Sequence, residues 1–399
     1  MDLDDTPAEA EYRAKAREFL DRHAKPRSGD AAGIPKVSLP EARAWQALKA
    51  EAGFAGIGLP RRYGGRDGTV MQELIYDQEE ARYDVPAQGL LFTIGLGHCI
   101  PALLAYADDA ILGQHVPAAI RGDEVWCQLF SEPSGGSDLA SLRTRAVRDG
   151  ETWRVNGQKV WTSGAHMADY GLLLVRTDPS VPKHAGLTAF FVDMKSPGIE
   201  IRPIRQIDGT SHFNEVFFTD LAIPDRNRLG APGEGWKVAV YTLMNERLAV
   251  GKAAVGPKFP RVAELARKLD SSGQAAFHAR IADAYVREKA LQYTAARVMT
   301  ALSKDQRPGP EASVIKYLKA AHVSDITSLM MDMQGVAGLL HEPGLAAAGA
   351  IAQSWWLRAP GEHVGGGTDE ILLNVIGERV LRLPAEPRED RDVPFNQLA

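Results

Sequence analysis

Cysteine is scarce: Cys99 and Cys127 are the only two in 399 residues. Two thiols in a chain of this length exclude a disulfide framework and agree with a reducing compartment. An excess of charge of one sign is also lacking. The 46 basic and 51 acidic residues leave a formal charge of -5, which provides no electrostatic basis for binding nucleic acid or an anionic membrane. Long uninterrupted apolar runs are missing too. The longest, 89–107, contains His98, Pro101 and several glycines, so it reads as a buried helix rather than a membrane span. The stretch 1–6 is acidic, with no basic region followed by an apolar core, which argues against a signal peptide and for a cytoplasmic setting. No GxGxxG follows a strand and no P-loop occurs. Gly95-Leu96-Gly97 falls inside the apolar run and reads as close helix packing. His98, His115, His166 and His212 show no metal-ligand spacing and read as surface or core residues.

What is present has an ordinary globular composition, 45% hydrophobic and 24% charged, in a chain long enough for two or three domains. Three zones differ in period. Apolar residues recur at helical spacing over 11–23, 41–52, 70–82 and 110–120, with a Gly- and Pro-rich loop at 53–68. From 125 to 224 the period becomes two, with strands expected at 125–130, 142–148, 152–155, 170–176, 187–193 and 215–219. Asn156-Gly157 is the strongest hairpin signal in the chain. Helical spacing returns at 235–253, 261–269, 275–303, 311–334 and 368–383, with Pro308-Gly309-Pro310 separating two of these. The expected class is α+β, mainly α: an N-terminal helical domain (1–124), a middle β-barrel or sandwich domain (125–232) and a C-terminal helical domain (233–399).

Two segments carry chemistry. In Trp126-Cys127-Gln128-Leu129-Phe130-Ser131-Glu132-Pro133-Ser134-Gly135-Gly136-Ser137-Asp138 a strand breaks into a small-residue loop whose N–H groups and hydroxyls suit carbonyl or phosphate oxygens. In Asn156-Gly157-Gln158-Lys159-Val160-Trp161-Thr162-Ser163, Trp161 offers a flat apolar wall and Ser163 a hydroxyl beside it. A flat heteroaromatic needs that combination. Taken singly, the first segment also fits a plain connection between strands, and Trp161 also fits a core position. Cys127, on the same loop strand, reads as packing rather than catalysis.

Together the two segments resemble the acyl-CoA dehydrogenase family in order and spacing. The resemblance extends over nearly the whole chain, through Leu59-Pro60-Arg61-Arg62-Tyr63-Gly64-Gly65, Asn214-Glu215-Val216-Phe217-Phe218, Pro232-Gly233-Glu234-Gly235-Trp236, Gly366-Gly367-Thr368-Asp369-Glu370-Ile371 and Gly377-Glu378-Arg379-Val380-Leu381. It implies N-terminal helices, a middle β domain and a C-terminal four-helix bundle, with non-covalent FAD and an acyl-CoA substrate. Electron-transfer flavoprotein is the implied oxidant, in fatty-acid or steroid β-oxidation. By position, Gln128, Phe130, Ser131 and Ser137 border flavin and substrate. Trp161 and Ser163 lie beside the isoalloxazine, and Gly335, Thr368 and Glu370 correspond to cofactor-binding positions. The family chemistry pairs a carboxylate, which removes the Cα proton of the thioester, with hydride loss from Cβ to the flavin. A backbone N–H at the position of Gly366 stabilises the developing enolate.

The chain departs from the common pattern where it matters for that chemistry. Most members carry Glu immediately before the Gly-Thr of the C-terminal motif, and here Gly366 stands there. A minority, including isovaleryl-CoA and several steroid-side-chain dehydrogenases, place the base on the helix after the β domain, before an Arg that here is Arg247, assigned to substrate binding. Glu246 occupies that position, in one helix stripe with Ala239, Leu243 and Val250. The same carboxylate also suits an ion pair with another helix. The usual Arg-x-x-Phe-Gly element is absent, and Met331 replaces a usual Gln. The expectation is α,β-dehydrogenation of a bulky or branched acyl-CoA by a homodimer, a homotetramer or a heteromer with a paralogous subunit. The rival readings are a non-catalytic scaffold subunit and a related flavin oxidase or desulfinase.

Overall fold

The computed structural model describes residues 5–27, 37–86, 90–252, 256–269, 271–302, 312–342, 350–387 and 390–398. In chain order its principal elements are α1 (Pro7–His23), β1 (Lys25–Pro26), α2 (Leu39–Ala52), α3 (Val70–Glu80), β2 (Tyr83–Asp84), α4 (Leu90–Ile94), α5 (Ile100–Tyr106) and α6 (Asp109–Arg121). The sheet strands follow: β3 (Trp126–Leu129), β4 (Arg145–Asp149), β5 (Thr152–Ser163), β6 (Tyr170–Arg176), β7 (Leu187–Asp193), β8 (Ile199–Ile204), β9 (Phe213–Pro224) and β10 (Arg228–Leu229). The last helices are α7 (Gly235–Lys252), α8 (Phe259–Ala266), α9 (Ser271–Leu302), α10 (Ala312–Met333), α11 (Ile351–Glu362) and α12 (Asp369–Val375). The order helical, then β, then helical agrees with the α+β expectation.

Cα packing divides the chain into two compact units. One combines 1–36, 69–85 and 250–384, so that α1 and α3 share a unit with α8 to α12. Its core contains Val262, Leu265, Ile326, Leu329 and Met330. Glu79 of α3 is 2% exposed and is held by Arg17 at 2.7 Å and Arg13 at 2.9 Å, both on α1. The other unit combines 37–68, 86–249 and 385–399. Its eight-stranded sheet runs β10-β7-β6-β4-β5-β9-β8, with β3 parallel to β6. β6 lies inside the sheet, and six of its seven residues are buried, as its near-continuous apolar sequence requires. One core cluster joins α5 and α6 to the sheet through Ile100, Leu103, Val116, Trp126 and Phe191. Another is built from sheet residues such as Val155, Phe190 and Val216.

Several sequence expectations shift. α1 and α2 start earlier than their periodicity, because Thr6 with Glu9 and Ser38 with Glu41 form capping boxes. The apolar run is helical from Leu90 to Tyr106, but Gly95–Cys99 is wound as a π-helix. α11 has no counterpart among the expected helices, since Pro360 and Gly361 interrupt its pattern near the end. β8 was likewise not expected. The expected ends at Gly89, Ala253, Ser303 and Glu311, and the Pro308-Gly309-Pro310 break, lie outside the described residues.

The hairpin signal is the clearest correction. Asn156-Gly157 is not a turn: it lies within β5, where the pairing with β9 shifts register between Val155 and Gly157. The chain reverses instead at Asp149–Thr152, through Gly150 with φ +62. Asn156 uses its amide oxygen to accept the Asp220 N–H at 2.9 Å across the bulge. Gly157 has φ +152, and a Cβ there would lie 2.5 Å from Thr144 Oγ1 and 2.7 Å from Thr144 Cα. The Asn-Gly pair therefore serves a bulge and a close strand approach, for which a short-range turn rule has no term.

One buried ion pair links the strands that frame the loop 131–138. Lys159 of β5 is fully buried and donates to Glu132 Oε1 at 2.8 Å and to the Phe130 carbonyl at 3.0 Å. Glu132 in turn accepts the N–H groups of Arg143 at 2.6 Å and Thr144 at 2.9 Å. Burial pulls the Lys159 pKa down to about 8 against the opposing Glu132 carboxylate. Removing one partner of such a pair strands the other charge, so Lys159→Met is expected to cost about 3–5 kcal/mol. Gly157→Ala is expected to cost about 1–3 kcal/mol through crowding against Thr144. Denaturant unfolding of both variants against the parent measures these losses, and a cost within error of zero would contradict either account.

Candidate functional site

The β-domain unit carries Gln128 on β3, Phe130, Ser131 and Ser137 on the segment that follows, Trp161 and Ser163 on β5, and Glu246 and Arg247 on α7. β3 ends where the chain leaves the sheet, and the loop 131–138 closes on itself through Glu132 N to Gly135 O at 2.9 Å and Gly135 N to Glu132 O at 3.1 Å. Ser131 is half-buried and Ser137 exposed, with Val160 N–H bound to the Ser131 carbonyl at 2.9 Å. Phe130 turns its ring into the core at 4% exposure, so what it presents locally is a carbonyl held by Lys159. At the far end Asp138 accepts Ser141 Oγ and is bridged by Lys183 at 3.0 Å. Lys183 also meets Asp390 at 2.8 Å. The tail that carries Asp390 is fastened to the 177–186 loop by Phe395 N to Val181 O at 2.9 Å. Arg176 lies 3.5 Å over the Phe395 ring.

Trp161 is the most telling surface residue. It sits in a strand yet has φ +60, between Lys159 and Thr162 where the β5–β9 register shifts. A non-glycine residue in that region is strained, and the bulge turns the indole outward to 58% exposure. Phe213 supports it edge-on at 6.0 Å. Half-buried Ser163 follows two residues later, paired with Phe213. The buried hydroxyl of Thr162, between them, has no hydrogen-bond partner. An exposed flat ring on a strained backbone, with hydroxyls beside it, fits an isoalloxazine, which needs one apolar face and polar partners at its edge.

Glu246 is half-buried on α7, whose residues Val238, Ala239 and Thr242 are buried. Its Oε2 lies 3.5 Å from Nε2 of Gln128, the limit of hydrogen-bond reach. Among the described residues it makes no ion pair, so the alternative of a salt bridge to another helix finds no partner here. The Arg247 side chain lies outside the described residues. Cys99 and Cys127 are fully buried, with Cys99 Sγ 3.6 Å from the Cys127 carbonyl. Burial pushes both thiols up, so Cys127 is a packing residue rather than a nucleophile. His98, which the sequence left as a surface or core residue, is buried and close enough to Glu246 and Gln128 for both to affect its proton affinity. No sequence signal distinguished it, because periodicity does not reveal a π-helical turn.

The remaining candidates lie in the bundle unit. Gly366 and Gly367, with φ +70 and +96, form the turn between α11 and α12. No hydrogen bond among the described residues uses the Gly366 N–H. Thr368 is the N-cap of α12, accepting Ile371 N–H, and Glu370 is exposed in the first turn. Lys316 donates to the Gly367 carbonyl at 2.6 Å, and Ser324, His363 and Asp369 form a chain of contacts at 2.9 Å and 2.6 Å. These side chains fasten the Gly366 turn to α10. Gly335, at φ +54, opens a short 3-10 turn whose Val336 and Leu339 are 85% and 80% exposed.

Comparison with known proteins agrees with this arrangement. Residues 6–123, 127–221 and 233–381 match the models described as acyl-CoA dehydrogenase N-terminal, middle and C-terminal domain respectively. The chain is 38% identical over 358 residues to the acyl-CoA dehydrogenase FadE34 of Mycobacterium tuberculosis. That alignment covers 89% of this chain and 48% of FadE34, so the chain spans about half the length of that relative. It is 35% identical over 392 residues to the acyl-CoA dehydrogenase IpdE1 of the same organism, covering 95% of this chain and 98% of IpdE1. Among solved structures, the Tcur3481-Tcur3483 steroid ACAD superposes with a TM-score of 0.82 at 26% identity, covering 97% of this chain and 100% of that one. The ChsE4-ChsE5 complex of Mycobacterium tuberculosis gives 0.79 at 26%, with the same coverage. With its whole helical–β–helical course matched in sequence and fold, the chain belongs to the acyl-CoA dehydrogenase family, oxidoreductases that act on acyl-CoA and are generally FAD-dependent.

Proposed function

We propose that the protein binds FAD and carries out α,β-dehydrogenation of a bulky or branched acyl-CoA, with Glu246 as the catalytic base. The observation that carries this reading is the Glu246 carboxylate itself. Among the described residues it stands without an ion pair, near Gln128 of the small-residue loop strand, in a chain whose C-terminal motif has Gly366 where most relatives have Glu. When bound, the flavin supplies the acceptor for the Cβ hydride. Gln128, Ser131, Ser137, Trp161 and Ser163 would hold it and the substrate in the β-domain unit, and Phe130 contributes its backbone. Gly335, Thr368 and Glu370 carry over from the resemblance as cofactor contacts, and Arg247 as a substrate contact.

In this mechanism Glu246 takes the Cα proton. The role assigned to Gly366 is hydrogen-bond donation from its N–H to the thioester oxygen, which stabilises the charge that develops there. Lys159 and Glu132 keep the loop 131–138 from collapsing into the space a ligand occupies. The acyl preference rests on Gly366, which removes a side chain from that position, and on the steroid designation of the similar solved structure. Electron-transfer flavoprotein is the proposed oxidant and the cytoplasm the proposed setting. Among the described residues no helix is long and apolar enough to cross a membrane. Exposed Val336 and Leu339 favour an oligomer. It would be a homodimer or homotetramer, or a heteromer of the kind named by the ChsE4-ChsE5 complex.

Glu246→Gln keeps the shape and removes the proton acceptor. Flavin absorbance is expected to remain while substrate-driven flavin reduction falls at least about a hundredfold, the scale of a general base. Gln at Glu362 or Glu370 is expected to cost far less once flavin content is matched, and near-normal reduction in Glu246→Gln would refute the assignment. A protein that stays colourless with added FAD would point to a scaffold subunit instead. For the acyl group, kcat/KM with an artificial acceptor is expected to favour branched or steroid-type thioesters over straight ones. Clear superiority of the straight chains would refute that preference.

A further inference from the structure

His98 is a buried polar group without an evident use. It lies in the π-helical turn Gly95–Cys99, where the Ile100 N–H bonds to the Gly95 carbonyl, five residues back. Such a turn carries one extra residue and re-aims the side chains that follow it, and π-bulges occur frequently at functional sites. The turn packs against β3, with Gly95 facing Trp126. The His98 ring is 4% exposed, and among the described residues neither nitrogen makes a hydrogen bond of normal geometry, although the Gln128 amide is close enough to act on it. Leaving buried polar atoms unsatisfied is costly, and a group kept in that state commonly serves a function.

The groups that face the ring identify what that function is. They are the Glu246 carboxylate from α7 and the Gln128 amide from β3, with the neutral Cys99 thiol next in the chain. Burial depresses the His98 pKa below the ordinary histidine range, and the carboxylate and the amide only partly oppose it. Near neutral pH the ring therefore has one N–H to donate and one lone pair. Glu246 for its part has a single long contact, at 3.5 Å, and no second partner among the described residues. A base so loosely held lacks the direction that proton abstraction needs, since displacement by about 1 Å can cost about a hundredfold in rate.

We propose that His98 is a positioning residue for the base: its imidazole N–H donates to the Glu246–Gln128 pair and fixes the direction in which the carboxylate takes the Cα proton. This rests on the reading of Glu246 as the base. The donor also imposes a pH dependence that a mere core filler would not. As the pH falls below the ordinary histidine range, His98 gains a proton and pairs with the Glu246 carboxylate as a full ion pair. The base is then engaged, and flavin reduction slows.

The test uses the flavin-loaded protein, acyl-CoA and rapid mixing, with flavin reduction followed across the acid and neutral range. Three variants are compared with the parent and with Glu246→Gln: His98→Phe removes the donor, while His98→Asn and His98→Gln retain an N–H that does not titrate. His98→Phe is expected to keep its flavin spectrum and to slow reduction at neutral pH by at least about tenfold with little change in KM. The two amide variants are expected to recover part of the rate, and all three to lose the histidine limb of the pH profile. A His98→Phe protein that reduces its flavin within about twofold of the parent, with the acid limb unchanged, would overturn the proposal. Should His98→Phe not fold, the acid limb in His98→Gln decides: its loss supports the role, its persistence refutes it. Glu246→Gln separates the two claims. If it is inactive while the His98 variants are indifferent, only the role of His98 fails; if it is active, the base assignment fails and the role of His98 with it.

Discussion

The buried pair of Lys159 and Glu132 is the constraint on which the rest of the β-domain site depends. Two charges taken out of water are expensive, and they persist where every remaining donor and acceptor is satisfied. Here Glu132 accepts Lys159 and two backbone N–H groups, and Lys159 also holds the Phe130 carbonyl. One pair thus ties the end of β3, the start of the segment leading to β4, and the middle of β5. The loop 131–138 is anchored between them, and Trp161 follows Lys159 by two residues at the point where the register slips. The strain at Trp161 survives because its neighbours on β5 are held from below by this pair and from the side by β9.

In the same unit α7 carries Glu246, the proposed base, which makes no ion pair among the described residues. Its contact among the described residues is the Gln128 amide of β3, and His98 and Cys99 lie near enough to feel its charge. In the bundle unit the local problem is different. The Gly366 turn needs left-handed backbone and gains its rigidity from outside, through Lys316 on its carbonyl and the Ser324–His363–Asp369 chain. Both units therefore spend charged and polar side chains on backbone geometry around the candidate residues.

Much of this was legible in the amino-acid sequence. Period-two and helical apolar spacing report which face of a segment is buried, so the helical–β–helical order and most helices followed directly. The loop segment and the Trp161-x-Ser163 pattern carry residue types that a flat ring needs, but each alone also fits a plain strand, and the resemblance to the family is what marked them as candidates. Glu246 takes its assignment from the same resemblance, as the carboxylate at the minority base position in a chain with Gly366 at the usual one, while its apolar stripe alone also suits an ion pair.

Tertiary packing alone decided the rest. Asn156-Gly157 carries a turn signal, yet Thr144 and β9 draw it into a strand bulge, because a long pairing outweighs a local preference. Phe130 turned into the core because the sheet face below it needed a ring. α1 and α3 joined the bundle unit rather than the helices between and after them, since Glu79 and Arg17 are 62 residues apart in sequence and meet only after folding. His98 gained its place beside Glu246 from a single extra residue in a helical turn. Periodicity averages over such a turn, whereas packing depends on the one side chain it redirects.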